Sequence, residues 1–165
     1  MNLNTKTTVL IATFSPWKLG KRLPINGNVE PMLDFFIPKV RRTVLIDQPY
    51  TGSDIVMPRI EVYEKGRRVG LFSSGYLVYM LYPLLKITNY EGTQIPFKLR
   101  DFFSVFDCVF REKSSVDIFI GLEAINALAG IILKRLGKIK TVVYYVSDYT
   151  PIRYKQPWFN WLYLW

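Results

Sequence analysis

Three short stretches of this chain carry the side chains able to hold or act on a ligand. Glu123 and Asp148 each follow an apolar run, at residues 116–120 and 141–146, so each stands where a buried strand would emerge. Asn126 lies about one helical turn beyond Glu123. Ser15, Trp17, Lys18, Gly20, Lys21 and Arg22 crowd into a proline-broken stretch after a third apolar run at residues 7–13. Carboxylates accept hydrogen bonds and clustered cations attract anions, so the chemistry on offer is recognition of a polar or anionic ligand. Asp47 ends a fourth run, residues 43–46, and is placed either to receive a ribose or sugar hydroxyl or to open the turn sequence QPYTGSD.

The elements that must position these groups are legible from period and punctuation. Residues 116–120, 122–136 and 141–146 read as strand, helix, strand, the length that a crossover between parallel strands requires. Within that helix Ile125, Leu128, Ala129, Ile132 and Leu136 form the expected core stripe. Glu123, Asn126, Gly130 and Lys134 form a polar stripe beside it, and Glu123 also reads as a carboxylate favoured by the helix dipole. Gly137 suits the end of the helix. The run at residues 7–13 reads as the first, central strand, and residues 14–31 as a long loop over the carboxyl edge of the sheet. Residues 59–64 and 69–72, joined by EKGRR, read as a small β-hairpin inserted at an edge. Residues 75–86 form an apolar helix that Pro83 should end or kink, with burial as its first reading and membrane-surface contact as its second. Residues 95–113 form a further helix with a core stripe of Phe97, Phe103, Phe106, Val109 and Phe110. Strands alternating with helices predict an α/β fold with a parallel sheet, whose ligands bind beyond the carboxyl ends of the strands.

Composition narrows the chemistry. The chain has 165 residues, half of them hydrophobic, enough for one core and short for two. It has no histidine and one cysteine, which excludes a histidine-based triad, an internal disulfide and the usual zinc sites. Cys108, in the apolar segment FFSVFDCVF, is expected to be a buried, inert thiol. The net charge of +9 comes from short clusters at residues 18–22, 39–42, 65–68 and 134–140, as in solvated loops or surfaces that meet an anionic ligand or membrane. Nucleic acid is not expected as a partner, because the aromatic residues fall in apolar element patterns instead of interleaving with the cations. Neither a dinucleotide glycine fingerprint nor a P-loop follows the first strand, which disfavours an ordinary nucleotide-dependent enzyme. No stretch reads as a signal peptide or a bilayer span, so a cytoplasmic protein, soluble or peripheral at the inner face of the membrane, is expected.

The stretch from Ser15 to Arg22, the strand-Gly-x-Glu-helix segment at Gly121 and Glu123, and the strand end at Ser147 and Asp148 together resemble the N-terminal half of a GT-B glycosyltransferase of the retaining family-4 kind. Many members present a histidine at that last strand end, where this chain has Ser147 and Asp148. The resemblance, which spans the whole chain, implies a Rossmann-like acceptor-binding domain, incomplete without a C-terminal domain that binds the nucleotide-sugar. It implies transfer of a sugar, with retained configuration, from a nucleotide-sugar to a glycan or lipid-phosphate acceptor, with neither metal nor separate cofactor. By the same resemblance Asp148 is the catalytic residue, Glu123 and Asn126 receive hydroxyls, and Ser15, Trp17, Lys18, Gly20, Lys21 and Arg22 bind substrate, their cations offsetting phosphate charge. The terminal aromatics Trp158, Trp161, Leu162 and Trp165 are expected to be covered by the missing domain, a partner or a membrane. The other reading is a standalone α/β module that docks on an anionic membrane through its basic loops and terminal aromatics.

Overall fold

The computed structural model describes residues 6–23, 29–89, 94–112 and 115–146. The elements run β1 (Thr8–Ser15), β2 (Trp17–Lys18), β3 (Lys21–Arg22), α1 (Val29–Phe36), β4 (Arg42–Pro49), β5 (Arg59–Glu64), β6 (Arg67–Ser73), α2 (Tyr76–Ile87), α3 (Ile95–Arg111), β7 (Val116–Gly121), α4 (Ala124–Arg135) and β8 (Ile139–Tyr144). Six strands make one sheet in the order β6-β5-β4-β1-β7-β8. β4, β1, β7 and β8 run parallel, as the alternation of apolar strands and helices predicts, and the β5–β6 hairpin closes one edge antiparallel. This is the α/β, Rossmann-like architecture expected of the sequence.

β1 sits between β4 and β7 because TVLIATFS is apolar on both faces, the mark of a strand covered by helices above and below. Alternation sorts the strand residues. Leu10, Ala12, Val44, Ile46, Ile60 and Val62 face Val105, Cys108 and Val109 of α3 and Ala129 and Leu133 of α4. Val9, Ile11 and Leu45 face Val29, Leu33 and Phe36 of α1 and the following Val40. The chain leaves β1 toward β4 on one side and returns to β7 on the other, so the sheet reverses direction between β1 and β7. In open parallel sheets, that reversal is where a crevice opens beyond the carboxyl ends.

Three local expectations are corrected, in α4, in α3 and after β1. In α4 the buried face is Asn126, Ala127, Ala129, Gly130 and Leu133, while Leu128, Ile131 and Leu136 are exposed. The helix is rotated because Gly130 lies against Phe119: a Cβ built there would fall 2.5 Å and 2.6 Å from two atoms of its ring. In α3 the buried face is Phe97, Arg100, Asp101, Ser104, Val105, Cys108 and Val109. Phe103 and Phe106 are only half-buried and Phe110 is exposed. α2 runs through Pro83 to Ile87 without ending there. The carbonyl that Pro83 leaves without its usual partner belongs to Tyr79, on a turn open to water. Finally, the stretch after β1 contains a tight antiparallel ribbon, β2 with β3, in place of a continuous loop.

The close approach at Gly130 gives a direct test of this helix rotation. Alanine should gain up to about 1 kcal/mol of helix propensity. Overpacking against the Phe119 ring opposes it by roughly 1–3 kcal/mol. Gly130→Ala is therefore expected to lower the urea midpoint with an unchanged m-value, whereas a stabilised variant would mean that α4 turns its apolar stripe inward.

Candidate functional site

The site is built on a buried polar network at the end of β4. Successive strand side chains leave opposite faces, so Gln48 points toward α3 and α4 while Asp47 points the other way. The two N–H groups of Gln48 Nε2 are shared among Asn126 Oδ1 at 2.9 Å, Ser104 Oγ at 3.0 Å and the Asp101 carbonyl at 3.1 Å. Asn126 Nδ2 returns a hydrogen bond to Gln48 Oε1 at 2.9 Å. Beside this pair Arg100, also buried, donates from Nη2 to the Pro49 carbonyl at 2.7 Å and from Nη1 to the Val56 carbonyl at 2.9 Å. Its Nε lies 2.8 Å from Asp101 Oδ1, and its guanidinium stacks on the Phe97 ring at 4.6 Å. Burial pushes the Asp101 carboxyl upward, while Arg100 and Lys98 pull it back toward the charged form. Strand β4 and the starts of α3 and α4 are thereby held in one register.

Over this network lies a crevice of about 210 Å3, lined by Phe14, Tyr50, Thr51, Phe97, Lys98 and Glu123 among others. It is smaller than the few hundred Å3 typical of drug-sized ligands and suits a single ring. Phe14 and Tyr50 meet edge to face, with centroids 4.9 Å apart. Glu123 holds the N-cap position of α4, yet its side chain makes no capping hydrogen bond. Its Oε2 instead accepts from Lys98 Nζ at 2.8 Å. The turn carrying it is fixed twice. Leu122 N–H donates to the Ala12 carbonyl at 3.0 Å, and a Cβ at Gly121 would fall 2.9 Å from the Ala127 nitrogen, so α4 starts directly against the strand end. The crevice thus offers aromatic walls, a carboxylate and an ammonium at the reversal point of the sheet.

The basic ribbon lies elsewhere on the same edge. Trp17 is buried under the Arg59 guanidinium at 4.6 Å, and its backbone N–H donates to Ser53 Oγ at 3.1 Å. Leu19 N–H donates to the Asp54 carboxylate, and Asp54 N–H donates to the Trp17 carbonyl. Arg22 turns inward to Asp47 at 3.3 Å, with Glu30 at 3.6 Å and Glu61 at 3.8 Å. Burial raises the Asp47 carboxyl above its ordinary value, against the pull of the neighbouring Ser15 hydroxyl and Arg22. Tyr63, which donates to Glu61, is pushed up to about 12 by burial and by that carboxylate.

The expected site residues therefore separate. Glu123 lines the crevice; Ser15, Trp17, Lys18, Gly20, Lys21 and Arg22 do not. Ser15, Trp17 and Arg22 are drawn into the packing beneath the ribbon, leaving Lys18, Gly20 and Lys21 exposed on it. Asn126 has no solvent-exposed surface and serves the buried amide pair, which corrects its assignment to substrate. Asp148, with Ser147, lies outside the described residues, as do Trp158, Trp161, Leu162 and Trp165. Phe14, Tyr50 and Lys98 were not anticipated. The available signal was Lys98 within an apolar helix that also carries Arg100, Asp101 and Ser104 at helical spacing. Cys108 is buried, its thiol pushed up by burial, as its apolar context implies. Among the described residues no cluster of acidic or cysteine side chains could hold a metal. Comparison with protein-family models, curated proteins and solved structures finds no match, so the chemistry rests on this geometry.

Two substitutions test the network and the acid beneath the ribbon. Asn126→Leu should cost about 1–3 kcal/mol by leaving Gln48 Oε1 without its donor. Pairing it with Gln48→Leu should cost less than the sum of the two single changes, a coupling measurable in a double-mutant cycle. Asp47 has a raised carboxyl in the folded state, so its contribution is fully present below the unfolded value and lost as pH rises through the folded one. Asp47→Asn should therefore raise the thermal midpoint at pH 7, the gain shrinking as pH falls to about 3. A pH-independent difference would mean that packing, not ionisation, dominates there.

Proposed function

We propose that this domain is the acceptor-binding half of a retaining GT-B glycosyltransferase, which moves a sugar from a nucleotide-sugar to a glycan or lipid-linked acceptor. The observation that carries this reading is the Lys98–Glu123 pair among aromatic rings at the reversal point of the sheet. A sugar ring has C–H faces that pack on aromatic rings and hydroxyls that donate to a carboxylate. The crevice supplies both, with an ammonium to bind a ring oxygen or a phosphate on the acceptor. On binding, an acceptor hydroxyl takes a place on Glu123 Oε1 or Oε2, and Lys98 holds that carboxylate in position.

A second domain brings the nucleotide-sugar to the same carboxyl edge, and aligning donor with acceptor supplies much of the acceleration. The exposed Lys18 and Lys21 lie on that edge and offset the charge of a diphosphate. The reading sets the domain at the cytoplasmic face of a membrane, where lipid-linked acceptors are presented.

The test is a titration of the full chain with a panel of methyl hexosides and sugar 1-phosphates, followed by backbone amide shifts. Shifts should centre on Phe14, Tyr50, Lys98 and Glu123, and Tyr50→Ala and Glu123→Gln should each weaken binding at least ~10-fold, about 1.4 kcal/mol. Shifts confined to the ribbon, or affinity indifferent to both variants, would remove the crevice from the function.

A further inference from the structure

Helix α2 has an outward face that solvent alone does not explain. Val78 and Leu85 are fully buried, which turns Tyr76, Met80, Pro83 and Ile87 to the outside at helical spacing. Tyr76 is 88% exposed, Met80 80% and Ile87 79%. Tyr79, Tyr82 and Leu84 flank them, also exposed. The helix YLVYMLYPLLKI carries one charge, Lys86, and no acid. A helix on a soluble surface ordinarily puts charged and polar residues where these side chains stand.

Two cations stand at the ends of this helix. At the end of the helix Lys86 is exposed. At its start lies Arg111, whose Nη1 donates to the Ser73 carbonyl at 3.2 Å and whose Nη2 borders Gly75. The acid nearby, Asp107, is taken up by the Leu77 and Val78 N–H groups that begin the helix. What remains is an apolar strip edged by tyrosine hydroxyls and cations, on a chain of net charge +9. Tyrosine is favoured at the level of lipid headgroups, where its ring is in the acyl boundary and its hydroxyl in water. Twelve residues of helix span about 18 Å, too short to cross a bilayer but long enough to lie along one. Among the described residues no helix is long and apolar enough to cross.

We infer that the outward face of α2 docks the domain flat on the interface of an anionic lipid bilayer. Tyr76, Met80, Pro83 and Ile87 enter the acyl boundary, while Lys86 and Arg111 meet the headgroups. Charge selects the lipid surface over a second copy of the chain, because a two-fold pairing of this face brings its cations against their own kind. The inference does not depend on what fills the crevice, since the measurement reads lipid and not transfer.

Flotation of the full chain with vesicles of equal parts phosphatidylcholine and phosphatidylglycerol, against pure phosphatidylcholine, tests it. Binding to the anionic vesicles is expected, weakening as salt is raised. Met80→Glu with Ile87→Glu should reduce partitioning at least ~10-fold without lowering the thermal midpoint, because both side chains are exposed. Lys86→Glu should reduce it about 5-fold or more. Absence of vesicle binding by the unaltered chain overturns the inference, as does equal binding by the double variant, which would move the contact to another segment. A dimer in sedimentation that the double variant dissolves, with no lipid binding, would assign the face to a second copy instead.

Discussion

The carboxyl edge of this domain depends on one buried contact, the reciprocal amide pair of Gln48 and Asn126. Two amides with no exposure must each find partners inside the protein, since a buried polar group left unpaired costs about 1–3 kcal/mol. They find them only when the end of β4, the third turn of α3 and the first turn of α4 stand in one arrangement, with Ser104 and the Asp101 carbonyl completing the set. A wholly apolar junction could slide by a fraction of a turn. This one has a geometry it must satisfy, and Arg100, tied to the carbonyls of Pro49 at the end of β4 and of Val56 in the segment that follows, extends the same demand outward.

That fixed junction is what gives the crevice its contents. Lys98 precedes Arg100 and Asp101 on the first turns of α3, and Glu123 precedes Asn126 at the start of α4, so each follows from the placement of a neighbour in the network. Their ion pair is partly screened from water and holds the Glu123 side chain away from the helix end it could have capped. Two carboxylate neighbourhoods result at the same edge. On the α3 side Glu123 is presented to a crevice; on the α1 side Asp47 and Glu61 are covered by Arg22. The acids that could bind something and the acids that hold a ribbon down are separated by the thickness of the sheet.

The outer surfaces show where this core stops being self-sufficient. α2 is apolar around most of its circumference but, among the described residues, has α3 as its one substantial helix neighbour, so much of its apolar surface faces outward. The groove between α4 and β8 likewise exposes Ile131, Val142 and Tyr144. Both surfaces arise from helices whose sequence is hydrophobic beyond what their inward face needs.

The sequence by itself determined the six strands of the main sheet, the central place of β1 in its parallel part, the edge hairpin, the crossover from β7 through α4 to β8 and the burial of Cys108. Each of these follows from local period and from the short list of ways apolar strands and helices can cover one another. It also determined that Glu123 would emerge at the carboxyl edge, because a residue just past a parallel strand has no other place to be. Which way each helix turned was decided only by tertiary structure. The apolar residues of α4 pointed to one face, yet Gly130 against Phe119 and Asn126 against Gln48 selected another, and α3 buried Arg100, Asp101 and Ser104 beside Phe97 and Val109 while turning Phe110 outward. The reason is physical: exposing an apolar side chain is a graded loss proportional to area, whereas a steric overlap or an unpaired buried amide is abrupt. Periodicity records the graded term along one segment. The abrupt terms belong to pairs of residues such as Gln48 and Asn126, far apart in the chain, and exist only once the fold has brought them together.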